Sequence, residues 1–277
     1  MAKGIGLIGN FRGKVGNMVG YNLKDSNNKQ TQGVRVYQPI VKNPKTAAQA
    51  EQRAKLLAVN ATYRALKNVI DRGNESLPYG NKTRLAWLKT ALKAEQMPWF
   101  EKGTIPTHVV GSLLTKGSLK SLSYILNDVD IQVTVPNFAT GTDISTVGKL
   151  SAALMSGISS LREGDQITVV AVTFIDEVMG VDVKSIVLNS TSTEAQSLFT
   201  AGDGMVSVEF TNAPTAFSVI VSRLGDNGEH LRSTEMLWIN NKTSQGAPYD
   251  ADSKAAAIAS YRASAAASGD WAEESVQ

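Results

Sequence analysis

The chain contains no cysteine, which excludes a disulfide framework, a thiolate nucleophile and zinc ligation through sulfur. Histidine is nearly absent too. His108 and His230 lie far apart, each without a Cys, His or carboxylate neighbour at metal-ligand spacing. No Gly-x-Ser-x-Gly elbow is present. The acidic pairs Asp128 with Asp130 and Asp176 with Glu177 do not continue into an EF-hand loop. Long apolar runs are also missing: even Gln166 to Ile175 falls short of the roughly 20 residues that cross a bilayer. Met1 to Gly20 alternates glycine and charge with single apolar residues and lacks the apolar core of a secretory signal. These absences predict a non-enzymatic protein made in the cytoplasm, with no catalytic residues, cofactor, metal or membrane partner.

Two glycine patterns fail on context. Gly4-Ile5-Gly6-Leu7-Ile8-Gly9 has the letters of a dinucleotide-binding turn, but too little chain precedes it to form the strand that such a turn follows. Gly13-Lys14 cannot be a Walker A loop, because Ile8 stands where the first glycine belongs and Val15 replaces the magnesium-binding Ser or Thr.

What the chain does have is bulk and charge separation. With 277 residues, 42% of them hydrophobic, it can fill one large or two ordinary domains. The net charge of +3 conceals 20 basic against 6 acidic residues over 1–120 and 8 against 19 over 121–277. Such a dipole draws acidic partners to one half and repels them from the other.

Along the chain, residues 1–42 read as a glycine-rich arm and β-hairpin. Val15, Val19, Tyr21 and Leu23 fall on one face of an extended segment, Val34 and Val36 on another, and Lys24 to Asn28 form the turn. Residues 43–104 read as a basic helical region. Thr46 and Gln49 make a capping box, and Leu56, Val59, Tyr63, Leu66 and Ile70 recur at helical spacing up to Gly73. A second helix is expected over 82–94, burying Leu85, Leu88 and Leu92, with Trp87, Trp99 and Phe100 as core or interface anchors. Residues 105–245 read as an antiparallel β-sandwich, with strands expected at 109–114, 131–135, 166–175, 183–188, 206–210, 216–223 and 231–239 and a helix at 147–158. The Glu101 to Thr107 segment, with Gly103 and Pro106, is the expected linker. Residues 246–277 form an alanine-rich helix or tail that either docks on a partner or stays mobile. The fold class is therefore α+β. Candidate partner-binding residues are Phe11, Arg12 and Lys14 in the arm and Arg53, Lys55, Arg64 and Lys67 on the polar side of the first helix.

Gly13-Lys14-Val15-Gly16-Asn17-Met18-Val19-Gly20-Tyr21, then Asn43-Pro44-Lys45-Thr46 and Gln49 to Arg53, resemble the start of an uncharacterised family from Bacteroidetes and their phages. That resemblance covers about the first 70 residues. It implies an immunoglobulin-like C-terminal half and a phage virion structural protein, whose partners are other virion proteins and further copies of itself. Three functions are thus open: a virion assembly component docking through its basic half, a binding module of fibre or adhesin type, and a non-specific, salt-sensitive DNA-binding protein.

Overall fold

The computed structural model describes residues 13–24, 30–37, 46–127, 129–139, 141–175, 178–240 and 248–263. The chain is α+β, and every ladder between its named strands is antiparallel. It divides into two compact units, Met1–Lys45 and Thr46–Gln277.

The first unit is a three-stranded meander, β1 (Gly13–Val15), β2 (Met18–Lys24) and β3 (Gln30–Val36). Gly16, at a φ of 57°, turns the chain between β1 and β2, a conformation that favours glycine. The hairpin expected from the sequence is present as β2 and β3. The turn at Gly16 and Asn17, however, breaks the continuous extended run expected from Val15 to Leu23, and Gly13 to Gly20 of the expected arm is already paired in this sheet. Met1 to Arg12 lie outside the described residues.

The second unit begins with α1 (Ala47–Ala65), α2 (Lys67–Ile70) and α3 (Asn81–Ala91). Thr46 caps α1, its Oγ1 accepting from the Gln49 backbone N–H at 3.3 Å, which is one half of the expected capping box; the reciprocal half is not made, since Gln49 Oε1 accepts no hydrogen bond. Val59, Leu66 and Ile70 of the predicted stripe are buried as expected, but the buried face also takes in small residues outside that stripe, and Leu56 is not part of it. Ala50, Ala54, Ala58 and Thr62, then Leu66 and Ile70, recur every fourth residue and are buried, while Leu56 is 39% exposed. On α3 the buried residues are Thr83, Trp87 and Ala91, and Leu85 is 51% exposed. Small side chains face inward because α1 lies close to its neighbours. Thr62 Oγ1 accepts from the Val110 backbone N–H at 2.9 Å, and α5 (Ala251–Ala263) rests on α1 with Ala257 fully buried. Glu51 accepts from Lys55 at 3.0 Å and from Lys254 of α5 at 3.1 Å. These bonds, Lys55 first, hold the Glu51 carboxyl below its usual range.

The strands follow: β4 (Leu113–Thr115), β5 (Tyr124–Asn127), β6 (Asp130–Thr134), then α4 (Val147–Gly157), β7 (Gln166–Ile175), β8 (Val178–Val187), β9 (Thr200–Ala201), β10 (Met205–Glu209), β11 (Ala216–Leu224), β12 (His230–Arg232), β13 (Glu235–Met236) and β14 (Trp238–Ile239). One sheet runs β5-β6-β10-β9. The other runs β12-β11-β7-β8, with β14 also on β11, and β13 pairs β4 separately. Alternation along β7 explains the layering. Ile167, Val169 and Ala171 face a core shared with Ile131, Val133, Val206, Val208 and, from α4, Leu150 and Leu154. Val170 and Val172 face a second core, with Ala54, Val59, Leu66, Ile70, Trp87, Trp99 and Phe100. The central sheet thus lies between a second sheet on one side and the helices on the other.

That second core crosses the boundary expected at residues 104/105. Residues 46–104 and the described residues of 105–240 pack as one unit, and the Glu101 to Thr107 segment joins two layers of it. The expected run 231–239 is three short strands, since it leaves β11 at Ser233 to pair with β4.

Candidate functional site

The predicted partner-binding residues are not one surface. Phe11 and Arg12 lie outside the described residues. Lys14 is exposed on β1, its Nζ 3.6 Å from the centroid of the Tyr37 ring. Arg53 and Arg64 are about three turns apart and therefore on one face of α1, and both are exposed, as is Lys67 at the start of α2. Lys55 sits about 200° round the helix from Arg53 and is occupied by Glu51 at 3.0 Å, with the Trp99 ring 5.9 Å away. It belongs to the α1–α5 contact and not to the basic face.

On the first unit, cross-strand pairing puts Met18 opposite Val36 and Gly20 opposite Val34. Met18, Val34 and Val36 therefore share one face of the sheet, and they are 46%, 56% and 70% exposed.

A second candidate site was not anticipated. The helices cover only one end of the central sheet. At the other end the register aligns Arg232, Ser222, Gln166 and Val187 in a row across β12, β11, β7 and β8. These four share the face that carries Val170 and Val172 further along. The loop after α2, carrying Arg72, Asn74 and Tyr79, faces this row across a cleft of about 810 Å³. Tyr79 is 64% exposed, and the Arg72 guanidinium lies 5.5 Å from its ring centroid.

Two of the acids that line the cleft, Glu75 and Asp71, have donors within the fold, while Glu229 lines its rim with an exposed side chain. Glu75 accepts from the backbone N–H of Ser118 at 2.9 Å, the Ser118 hydroxyl at 2.8 Å and the Arg232 backbone N–H at 3.1 Å. Burial works to raise the Glu75 carboxyl, but these bonds outweigh it and hold the group below its usual range. Asp71 accepts from the Tyr63 hydroxyl at 2.8 Å. Arg223 is held by Asp165, Nε to Oδ1 at 2.5 Å and Nη2 to Oδ2 at 2.7 Å. Neither Arg72 nor Arg232 is in ion-pair contact with a carboxylate among the described residues. Burial first, and Arg72 second, lower the Arg232 guanidinium from its usual value, against the opposing pull of the Glu75 carboxylate. Gly117 allows this arrangement, since a Cβ there would lie 2.2 Å from the Arg232 carbonyl oxygen and 2.6 Å from Glu75 Oε2. None of these residues carries a motif; adjacency comes from strand register.

His230, at the start of β12, is exposed at the rim of the cleft. His108 packs by Phe174 and Tyr249, and burial lowers its pKa. Among the described residues no three His, Cys, Asp or Glu side chains group as a metal site, and no helix is long and apolar enough to cross a membrane.

One buried acid stands apart from the cleft. Glu235 receives the Tyr124 hydroxyl at 3.1 Å, and burial raises its pKa from the usual 4.5. Burial and then the Glu235 charge push Tyr124 up to about 12. A raised carboxyl pKa means that the stability linked to Glu235 is present below the unfolded value and is lost as pH rises through the folded one. Glu235→Gln should therefore match the wild type near pH 4 and gain thermal stability over it towards pH 8, by about 2–4 °C per kcal/mol. Calorimetric melts across that range check this. A gap that stays constant with pH would show that Glu235 does not titrate as described.

Compared with known proteins, the chain matches no family model, no curated protein and no solved structure.

Proposed function

We propose that the chain is a non-catalytic assembly protein that docks through its N-terminal half, and that it is a structural component of a phage virion, as its opening residues suggest. The observation that carries this reading is the first unit. Its three-stranded sheet turns Met18, Val34 and Val36 to solvent. So small a sheet is marginal unless its apolar face is covered, and a neighbouring virion subunit or a second copy of the chain would supply the cover. The exposed Arg53, Arg64 and Lys67 add a basic surface for an acidic protein partner or, non-specifically, for packaged DNA.

We also infer that residues 122–240 are an immunoglobulin-like sandwich. With β5 to β12 taken in order as A, B, C, C′, D, E, F and G, the two sheets run A-B-E-D and G-F-C-C′, the strand arrangement of that fold. The connection from B to C carries α4, and no cysteine is present for the disulfide that joins B to F in antibody domains.

Mass spectrometry of purified virions tests the reading, with the chain expected as a stoichiometric component. The combined variant Met18→Ser, Val34→Thr and Val36→Thr should leave the melt of residues 46–277 unchanged while reducing incorporation about tenfold or more, consistent with removing a few buried apolar anchors. Its undiminished incorporation would refute docking through this face. The alternative reading, a binding module, is favoured by the cleft on the second unit.

A further inference from the structure

We propose that the cleft between the loop after α2 and the open end of the central sheet binds an acidic saccharide, its carboxylate held by Arg232 and Arg72 and its sugar ring lying on Tyr79. The charge arrangement is the starting point. Asp71, Glu75 and Asp165 each have their own donors, and Glu229 lies exposed at the rim. Arg72 and Arg232, by contrast, line one cleft and disfavour one another's charge. The Glu75 carboxylate offsets part of that, but no carboxylate is in ion-pair contact with either among the described residues. Keeping Arg232 half-buried in that state is costly. A carboxylate entering the cleft relieves both the burial and the repulsion, and the planar guanidinium suits it geometrically.

The rest of the cleft selects a polar ring and not a bare ion. Ser222 and Gln166 stand beside Arg232 in the same cross-strand row, with side chains able to donate to and accept from hydroxyl groups. Asn74 faces them, although its Oδ1 already accepts from the Ser76 backbone N–H at 3.0 Å. Tyr79 gives a largely exposed aromatic face whose hydroxyl end is polar. A volume of about 810 Å³ lies within the range of small-ligand sites and far exceeds that of a single oxyanion.

The test is a titration of the 15N-labelled full chain at low ionic strength with D-glucuronate, D-glucose and inorganic phosphate, followed by amide shifts. Glucuronate should give saturable shifts at Arg72, Tyr79, Gln166 and Arg232. Glucose and phosphate should each bind about tenfold more weakly, and Arg232→Met should lose about tenfold in glucuronate affinity with an unchanged melt. Tyr79→Ala should weaken glucuronate and leave phosphate unaffected. Should Arg232→Met fail to fold, Arg72→Met at an exposed position carries the same expectation. The inference is overturned if glucuronate leaves the cleft amides unmoved, or if the folded arginine variants bind it as tightly as the wild type. It is overturned equally if phosphate matches glucuronate while Tyr79→Ala changes nothing, since the cleft would then be a site for an oxyanion alone.

Discussion

A fragment spanning residues 105–245 is expected not to fold cooperatively, although a sandwich would ordinarily stand alone. The central sheet has two apolar faces, and only one is covered by the partner sheet. In the fragment Val109, Val110, Leu114, Val170, Val172, Ile220, Leu237 and Ile239, all buried in the intact chain, lose the cover of Trp87, Trp99, Phe100 and the α1–α2 face. At about 1.5 kcal/mol for each such side chain, complete exposure would cost roughly 12 kcal/mol, against a total stability of about 5–15 kcal/mol for a domain. Even half that loss leaves little. The fragment should show a broad, non-sigmoidal melt and bind a hydrophobic dye, while residues 46–277 melt in one transition. A sharp single transition from 105–245 would show that the helical layer is an accessory and not half of the core.

The sequence signals that proved reliable are those whose cause is local. Thr46 caps its helix because the hydroxyl reaches Gln49 three residues on, and β7 ends where expected, at Gln166 and Ile175, because apolar residues fill both of its faces. Glu101 to Thr107 marks a change from helix to strand as read, but a turn signal says nothing about whether the cores on either side are separate. The inward face that begins on α1 follows the expected stripe at Val59, Leu66 and Ile70 and departs from it at Leu56. Leucine outweighs alanine in any hydrophobic stripe, yet Ala54 and Ala58 are buried where Leu56 is exposed, because close approach of neighbouring elements selects small side chains. The cleft had no local sign at all. Arg232, Ser222 and Gln166 are distant in sequence and become neighbours only through the registers of β12, β11 and β7.

Arg223→Met should be the most damaging single substitution away from the apolar cores. Asp165 is wholly buried at its side chain, and its two oxygens take Arg223 Nε and Nη2, while Oδ2 also accepts from the Arg162 backbone N–H at 2.8 Å. Arg223 donates besides to the Ser160 carbonyl at 2.9 Å, so one guanidinium ties the loop before β7 to β11. Methionine preserves the stem but leaves a buried carboxylate without its counter-ion. Removing one partner of such a pair costs about 3–5 kcal/mol, or roughly 6–20 °C in Tm for a unit of this size. Most of that cost is the orphaned charge and not the lost attraction, which the double variant Asp165→Asn with Arg223→Met separates. Asparagine keeps an acceptor for the Arg162 N–H and removes the charge, so the double variant should recover more than half of the loss. Chemical denaturation of the wild type, both single variants and the double variant completes the cycle. A double variant no more stable than Arg223→Met would mean that the guanidinium acts through its hydrogen bonds and packing across the loop, with the charge of Asp165 incidental.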